Sequence, residues 1–254
     1  PAVPDGYRFR APEAPAPAPA EETYVYFPSC VSRTMKPAER GREVLPEVVA
    51  KLAARAGVRL VYPSGLDELC CGQPFDSKGL PSQAEAKAKE VFDAVRAAAG
   101  EGPVRVLSDT SPCSHRMAQL RAENVEVVDL VAFLHDTVLP RIELTPTRAK
   151  LAVHATCSLR KMGLQGQLSA LAAACAPETV APADVECCGF AGDRGFSTPE
   201  LNAHALRHLA QSVEGADAGC SSSLTCEIGL TRHGGIDYRS IAYFVEEAAA
   251  AATA

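Results

Sequence analysis

Eight cysteines are the residues whose type and spacing can do chemistry in this sequence, and they fall into two sets of four. Cys30, the adjacent pair Cys70 and Cys71, and Cys113 form the first set; Cys157, the adjacent pair Cys187 and Cys188, and Cys226 form the second. Each pair is followed by a glycine, Gly72 or Gly189, as expected where the backbone has little room for a Cβ or takes a positive φ. Four thiolates satisfy either tetrahedral zinc or an iron-sulfur cluster. Structural zinc sites usually bring Cys-x-x-Cys knuckles, and these are missing because Thr110 and Ser223 stand three residues before Cys113 and Cys226. Chemistry alone therefore ranks an iron-sulfur cluster above zinc, with free structural thiols as the remaining reading. Disulfides rank low: neighbouring cysteines rarely bridge each other, and ten cysteines in 254 residues are too dilute for a small secreted scaffold.

For four thiols to share a site the fold must gather three distant segments. Short β-branched or aromatic runs at 24–27, 58–62, 104–107 and 125–128 predict strands. Between them, 37–56, 81–99 and 114–122 predict helices, with Asp129 capping a further one. A second series follows, with strands at 150–154, 178–181 and 216–219 and helices at 164–175, 199–213 and 240–250. Strands joined by helical crossovers imply parallel sheets covered on both faces. Each cysteine then falls after a strand or at the turn into a helix, at the carboxyl edges of the strands, where such folds collect ligands. Helix amino ends at that edge are expected to favour thiolate over thiol.

The two series are copies. Cys30, Arg33 and Met35 match Cys157, Arg160 and Met162 at an offset of 127, and Cys70-Cys71-Gly72 with Asp76 matches Cys187-Cys188-Gly189 with Asp193 at 117. Ser108-Asp109-Thr110 with Cys113 matches Ser221-Ser222-Ser223 with Cys226 at 113, and Ala132-Phe133 matches Ala242-Tyr243 at 110. Four landmarks in one order mark an internal repeat. The fold expected is therefore α/β, with two tandem pseudo-symmetric halves. A Pro/Ala-rich linker covers 1–22, the first half 23–143 and the second 149–254, with 140–147 as the joint.

A formal charge of −6 argues against nucleic acid or an anionic membrane surface as the main partner, and no apolar run is long enough to span a bilayer. The chain opens on Pro and not Met, and its proline-rich start reads as a linker that follows something longer. No nucleophile-base arrangement, phosphate-binding glycine loop or flavin motif is present, so no catalytic residue is assigned.

The repeated pattern Cys … Cys-Cys-Gly … Cys resembles the cysteine-rich CCG domain found in heterodisulfide reductase, in the iron-sulfur subunit of glycolate oxidase and in the lactate-utilisation iron-sulfur proteins. The stretch from Cys187 through Gly189, Asp193, Arg194 and Phe196 to Leu201, with Ser221-Ser222-Ser223 and Thr225 to Leu230, is more specific. It resembles the carboxy-terminal region of bacterial FAD-linked, iron-sulfur D-lactate dehydrogenases and their D-2-hydroxyglutarate-oxidising relatives. The resemblance covers about residues 24–246. It implies an iron-sulfur cluster of the 4Fe-4S type on the eight cysteines and FAD in a preceding part of a longer parent. It also implies the flavin domain of that parent as partner, and a quinone, cytochrome or flavoprotein as electron acceptor. The location implied is cytoplasmic, extending to peripheral attachment at the inner face of the membrane. Family members with a five-cysteine site carry Cys-x-x-Cys at the end of each copy. Thr110 and Ser223 depart from that pattern, which leaves a four-thiolate cluster, or one intact site and one vestigial site. Two other readings stand beside this one: a zinc-stabilised or metal-free docking domain, and a free-standing iron-sulfur subunit of a lactate or glycolate oxidation complex.

The remaining candidates read more plainly. Cys175 is expected in the core, and Cys220 at a strand end, where it could replace the ligand missing at Ser223. His204 and His208 stand four apart on a helix and are expected to be solvent-exposed. His154 and His115 flank cysteines and could tune a cluster, beside ordinary structural roles. Arg33, Arg160 and Arg194 could offset cluster charge or join surface ion pairs, and Asp76 and Asp193 are expected to cap turns. The second copy, with its compact cysteine loop and small residues after Cys188, is expected to hold the tighter site.

Overall fold

The computed structural model describes residues 8–12, 22–35, 42–100 and 102–253. They divide into two compact units with the boundary between Phe133 and Leu134. In the first, β1 (Glu22–Phe27) leads into α1 (Cys30–Thr34) and α2 (Leu45–Arg55), then β2 (Val58–Val61), α3 (Gln73–Asp76) and α4 (Pro81–Ala99). It closes with β3 (Val104–Ser108), α5 (Ser111–Gln119), β4 (Val125–Asp129) and α6 (Leu130–Ala132). The strands pair in the order β2-β1-β3-β4, all parallel, with Val25 opposite both Val61 and Val106. Val25 and Phe27 join Val91, Val95, Val106 and Met117 in one core, while Tyr24 and Tyr26 on the alternate face are also buried. Burial on both faces is what a parallel sheet under helices requires, and it explains why β1 is apolar at successive positions.

The second unit repeats the plan. β5 (Lys150–Val153), α7 (Cys157–Lys161), α8 (Gln165–Cys175) and β6 (Glu178–Val180) come first, then α9 (Arg194–Ser197), α10 (Pro199–Ala205) and α11 (Leu209–Ser212). β7 (Ala218–Ser221), α12 (Leu224–Gly234), β8 (Tyr238–Ser240) and α13 (Ile241–Ala252) complete it. Its sheet runs β6-β5-β7-β8, again parallel throughout. The protein is thus α/β with two tandem halves of one topology.

Several boundaries differ from the sequence reading, each for a local reason. The third predicted helix starts at Ser111 and not 114, because Pro112 suits the first turn of a helix. It ends before Arg121 and Asn124, both at positive φ. The predicted helix over 199–213 breaks into α10 and α11. The start of the 37–56 helix lies outside the described residues up to 41, and the described helix begins at Leu45 with Pro46 in its first turn. β8 and α12 were not predicted. β8 is three residues long and carries Arg239 and Ser240, while α12 contains Gly229 and Gly234, which weaken a helical pattern. Gly229 is required by packing, since a Cβ there would stand 2.5 Å from Asn202 Nδ2.

Within the expected linker, the described residues 8–12 are packed: Phe9 is buried, its N–H donates to the Arg33 carbonyl at 2.9 Å, and its ring meets Tyr62. Residues 1–7 and 13–21 lie outside the described set. The stretch read as a joint packs with the second unit, where Thr145 N–H donates to Ala248 O at 3.0 Å and Thr147 N–H to Cys175 O at 3.2 Å. Among the described residues no helix is long and apolar enough to cross a membrane.

Candidate metal centres

Each quartet is assembled from three segments at the carboxyl edge of its own sheet. Cys30 and Cys157 are the first residues of α1 and α7, entered directly from β1 and β5. Ser29 and Thr156 cap these two helices, accepting from Ser32 N–H at 3.3 Å and Leu159 N–H at 3.2 Å. Cys113 and Cys226 occupy the third positions of α5 and α12, whose N-cap positions are Thr110 and Ser223. Cys70-Cys71 and Cys187-Cys188 arrive on longer loops after β2 and β6.

The two β-α junctions of each half are tied by buried polar groups. Asp109 accepts from Tyr26 OH and from Ser29 N–H, each at 2.9 Å, and Ser29 Oγ lies 2.9 Å from Thr110 Oγ1. The second half does the same with neutral groups. Thr156 Oγ1 bonds Ser222 Oγ at 3.0 Å, and His154 Nδ1 bonds Ser221 Oγ at 3.1 Å. Burial, and then the nearby Arg160 charge, lower His154 to about 4, so its imidazole is neutral near pH 7.

The vicinal pairs are positioned from two sides. Arg33 sends its guanidinium to the carbonyls of Leu66 and Leu69, the residue before Cys70, and lies 5.8 Å from the Phe27 ring centre. Arg160 bonds Ala155 O at 3.2 Å and Val185 O at 3.3 Å, two residues before Cys187. The two arginines therefore clamp the loops that deliver the cysteine pairs, a role beyond the charge compensation or surface pairing that sequence suggested. From the other side, helices press on the glycines. Gly72 has φ +85°, and a Cβ there would collide with the backbone of Ala84 in α4; Gly189 has φ +69°, and its Cβ would meet Leu201 O at 2.7 Å. Positive φ is as expected, but the close approach is to a helix. Asn202, fully buried on α10, donates Nδ2–H to Cys188 O.

The thiols meet as chains. Cys70 and Cys71 are hydrogen-bonded, as are Cys71 and Cys113, and Cys30 feels the charge of Cys70. In the second half Cys157 bonds Cys187, Cys187 bonds Cys188, and Cys188 lies 3.0 Å from Cys226, sulfur to sulfur. Among the described residues no three His, Cys, Asp or Glu side chains are already disposed around a common metal position. On donor chemistry each half nevertheless fits a thiolate-bound metal, with four sulfurs from three segments and no competing acid or imidazole in the chain of thiols.

Helix amino ends do not prevail over burial here. Burial pushes Cys30 up; the hydrogen bond with Cys71, then burial, raises Cys70; and the hydrogen bond with Cys113 raises Cys71. Cys113 is lowered by its bond to Cys71, but burial and the nearby charges of Cys30, Asp109 and Cys70 outweigh that. Cys157 rises through its bond with Cys187 and burial. At Cys30, Cys70, Cys71, Cys113 and Cys157 burial, thiol-thiol hydrogen bonding and neighbouring charges together favour the protonated thiol, whose proton a bound cation would displace. Cys71, Cys113, Cys188 and Cys226 are buried, whereas Cys157 and Cys187 are exposed, so the second site opens to solvent.

The other candidates resolve clearly. Cys175 and Cys220 are fully buried core thiols, and Cys220 lies within β7. His204 and His208 are exposed. Asp76 ends α3 and pairs with Arg116 at 3.6 Å, and Asp193 occupies the N-cap position of α9 without a side-chain cap bond. Asp109 and Asn202 were not singled out from sequence. Asp109 carries a signal, being the one acid in a repeated block that otherwise holds Ser and Thr.

Comparison with known proteins follows the same residues. A family model described as a cysteine-rich domain, CCG, matches residues 24–127 and 151–231. A subunit of the anaerobic glycerol-3-phosphate dehydrogenase of Escherichia coli strain K12 is 24 % identical over 177 residues, covering 63 % of this chain and 44 % of its own length. The chain thus spans less than half of that relative. Lactate utilization protein A 1 of Bacillus mycoides is 27 % identical over 244 residues, covering 87 % of this chain and 95 % of its own. Among solved structures, aspartate racemase of Picrophilus torridus aligns over 91 % of this chain and 94 % of its own, at 9 % identity and a TM-score of 0.42.

Proposed function

The chain belongs to the cysteine-rich CCG domain family, and from that premise we propose that it is an iron-sulfur redox module of a dehydrogenase. The observation that carries the reading is the pair of thiol quartets, each gathered from three segments at one sheet edge. Cys30, Cys70, Cys71 and Cys113 would hold one centre, and Cys157, Cys187, Cys188 and Cys226 the other. A thiolate-bound iron-sulfur cluster of the 4Fe-4S type, when bound, supplies one-electron storage and transfer. The residues of this chain do the rest. Arg33 and Arg160 fix the loops bearing the vicinal cysteines, Gly72 and Gly189 admit the packing helices, and Cys157 and Cys187 present the second site to a partner.

The finer assignment rests on the resemblance of residues 187–230 to FAD-linked D-lactate dehydrogenases. On that basis the parent oxidises a D-2-hydroxy acid at a flavin preceding this region, on the cytoplasmic side. This module relays the electrons to a quinone, cytochrome or flavoprotein. The names of the two relatives, one from a glycerol-3-phosphate dehydrogenase and one a lactate utilization protein, support a dehydrogenase setting.

Anaerobic purification followed by iron, sulfide and zinc analysis, with optical and EPR spectra before and after dithionite, tests the reading. Iron with matching sulfide and a reducible paramagnetic centre is the expected result. Stoichiometric zinc with no charge-transfer absorption would replace the redox module with a metal-stabilised docking domain.

A further inference from the structure

The repeat provides two copies of one arginine in opposite surroundings. Arg33 and Arg160 each follow the first cysteine of their quartet by three positions, and each ties down the loop that carries the vicinal pair. Arg160 is exposed beside a cleft of about 310 Å³ walled by Val153, Ala155, Gln165 and Val185, so water solvates its charge. Arg33 is 2 % exposed.

A buried guanidinium stays charged and requires an anion or a dense set of acceptors. Two backbone carbonyls and the Phe27 ring meet part of that need, while its Nε–H has no partner among the described residues. The acids whose charge reaches it are accounted for otherwise. Asp67 is a surface residue 3.8 Å from Arg8, and Asp109 uses its oxygens on Tyr26, Ser29 and Thr110. No carboxylate among the described residues lies within ion-pair distance of Arg33. Cys30 lies three positions earlier on α1, and Cys70 directly follows the Leu69 carbonyl that Arg33 binds. Four protonated thiols leave the arginine charge unbalanced. Four thiolates around a divalent metal, or around a cluster of the same core charge, carry a net charge of about −2, of which the arginine offsets one unit while gaining the anion its burial requires.

We propose that Arg33 is the internal counter-ion of an anionic metal-thiolate assembly on Cys30, Cys70, Cys71 and Cys113, setting its metal affinity and its potential. Arg160 serves the second quartet only as a loop clamp. This builds on the metal-centre reading above but not on the identity of the native occupant.

Cobalt(II), titrated into metal-free full-length chain against a competing chelator, is the probe, with the second quartet disabled by Cys187→Ser and Cys188→Ser. Arg33→Gln is expected to weaken cobalt affinity at the first quartet by about tenfold or more, the scale of one unit charge a few ångströms away in a protein interior. Arg33→Lys, which keeps the charge and loses the fork, is expected to recover most of it. With the first quartet disabled instead, Arg160→Gln, which loses a clamp but no desolvated counter-charge, is expected to weaken the second site clearly less than Arg33→Gln weakens the first.

Arg33→Met adds a stability test. The Leu66 and Leu69 carbonyls lose their donor in either form, so the urea stability lost against the parent should be larger in the metal-loaded than in the metal-free protein. In iron-loaded protein the first-site midpoint should move to more negative potential in Arg33→Gln. Equal cobalt affinity in Arg33→Gln and the parent overturns the proposal. So do a Lys variant as weak as Gln, metal-free Met and Gln variants that do not fold, and an unmodified first quartet that takes no cobalt. A protein that purifies with zinc in place of iron removes the redox reading and leaves the counter-ion test standing.

Discussion

Replacing Gly72 by alanine tests whether the glycine after each cysteine pair is demanded by backbone and packing together. Two penalties add at this position. The φ of +85° costs an L-residue about 1–2 kcal/mol. The new Cβ would also stand 2.9 Å from the Ala84 carbonyl carbon, and closer still to its oxygen, a backbone contact that cannot rotate away. Overpacking of this kind costs about 1–3 kcal/mol. Gly57 is the control, because it has φ +69° with nothing within 4 Å of an added Cβ and lies in the same unit. Gly57→Ala should therefore cost about 1–2 kcal/mol and Gly72→Ala about 2–5 kcal/mol, with the entropic gain in the unfolded chain common to both. Urea unfolding of metal-free protein followed by circular dichroism reads the difference, provided the slopes agree. Gly72→Ala should also lower cobalt uptake at the first quartet, since Cys71 moves with it, while Gly57→Ala should not. Equal destabilisation by the two variants would refute the packing half of the reasoning.

Three further outcomes follow from the buried polar groups and thiols. Burial holds the Asp129 carboxyl up at about 6, above its unfolded value of about 3.9, so its stabilising contribution is complete below about pH 4 and is lost as pH rises through 6. Asp129→Asn keeps the cap on Val131 N–H and should gain up to about 3 kcal/mol at pH 7 but little at pH 4; an equal gain at both would contradict the assignment. Asn202→Ala should cost about 1–3 kcal/mol by leaving the buried Cys188 carbonyl without its donor, and a loss below ~0.5 kcal/mol in urea unfolding would count against that role. Cys175→Ala and Cys220→Ala should leave iron content unchanged, whereas Cys71→Ser should lower it and Cys188→Ser lower it more. Equal losses from the last two would show the halves to be equivalent.

What was legible in the sequence is what side-chain type encodes locally. β1 to β7 announced themselves by β-branched, aromatic or small apolar runs, α4 by its Ala84, Ala88, Val91, Val95 stripe and its flanking Pro81 and Gly100, and the repeat by its cysteines. β8 was hidden because three residues bearing Arg239 give no alternation, and α12 because Gly229 answers to Asn202 rather than to helix propensity. The eight thiols could be named in advance, but what holds them could not. Arg33 finds its carbonyl acceptors 33 and 36 residues away, and a backbone acceptor leaves no mark on the residue that supplies it. Expecting helix amino ends to ionise the thiols weighed a local dipole without the desolvation that only the folded chain imposes.

The ties between Ser29 and Asp109, and between Thr156 and Ser222, join positions 80 and 66 residues apart. Neither can form until the crossover through the edge strand is complete and the third strand lies beside the first. During synthesis Cys30, Cys70 and Cys71 therefore emerge well before Cys113 can take its place, an incomplete set of three thiols available to any soft cation. On the proposed metal-centre reading, each half calls for sheet closure first and metal delivery second, so that timing joins ligand identity in deciding which metal is bound.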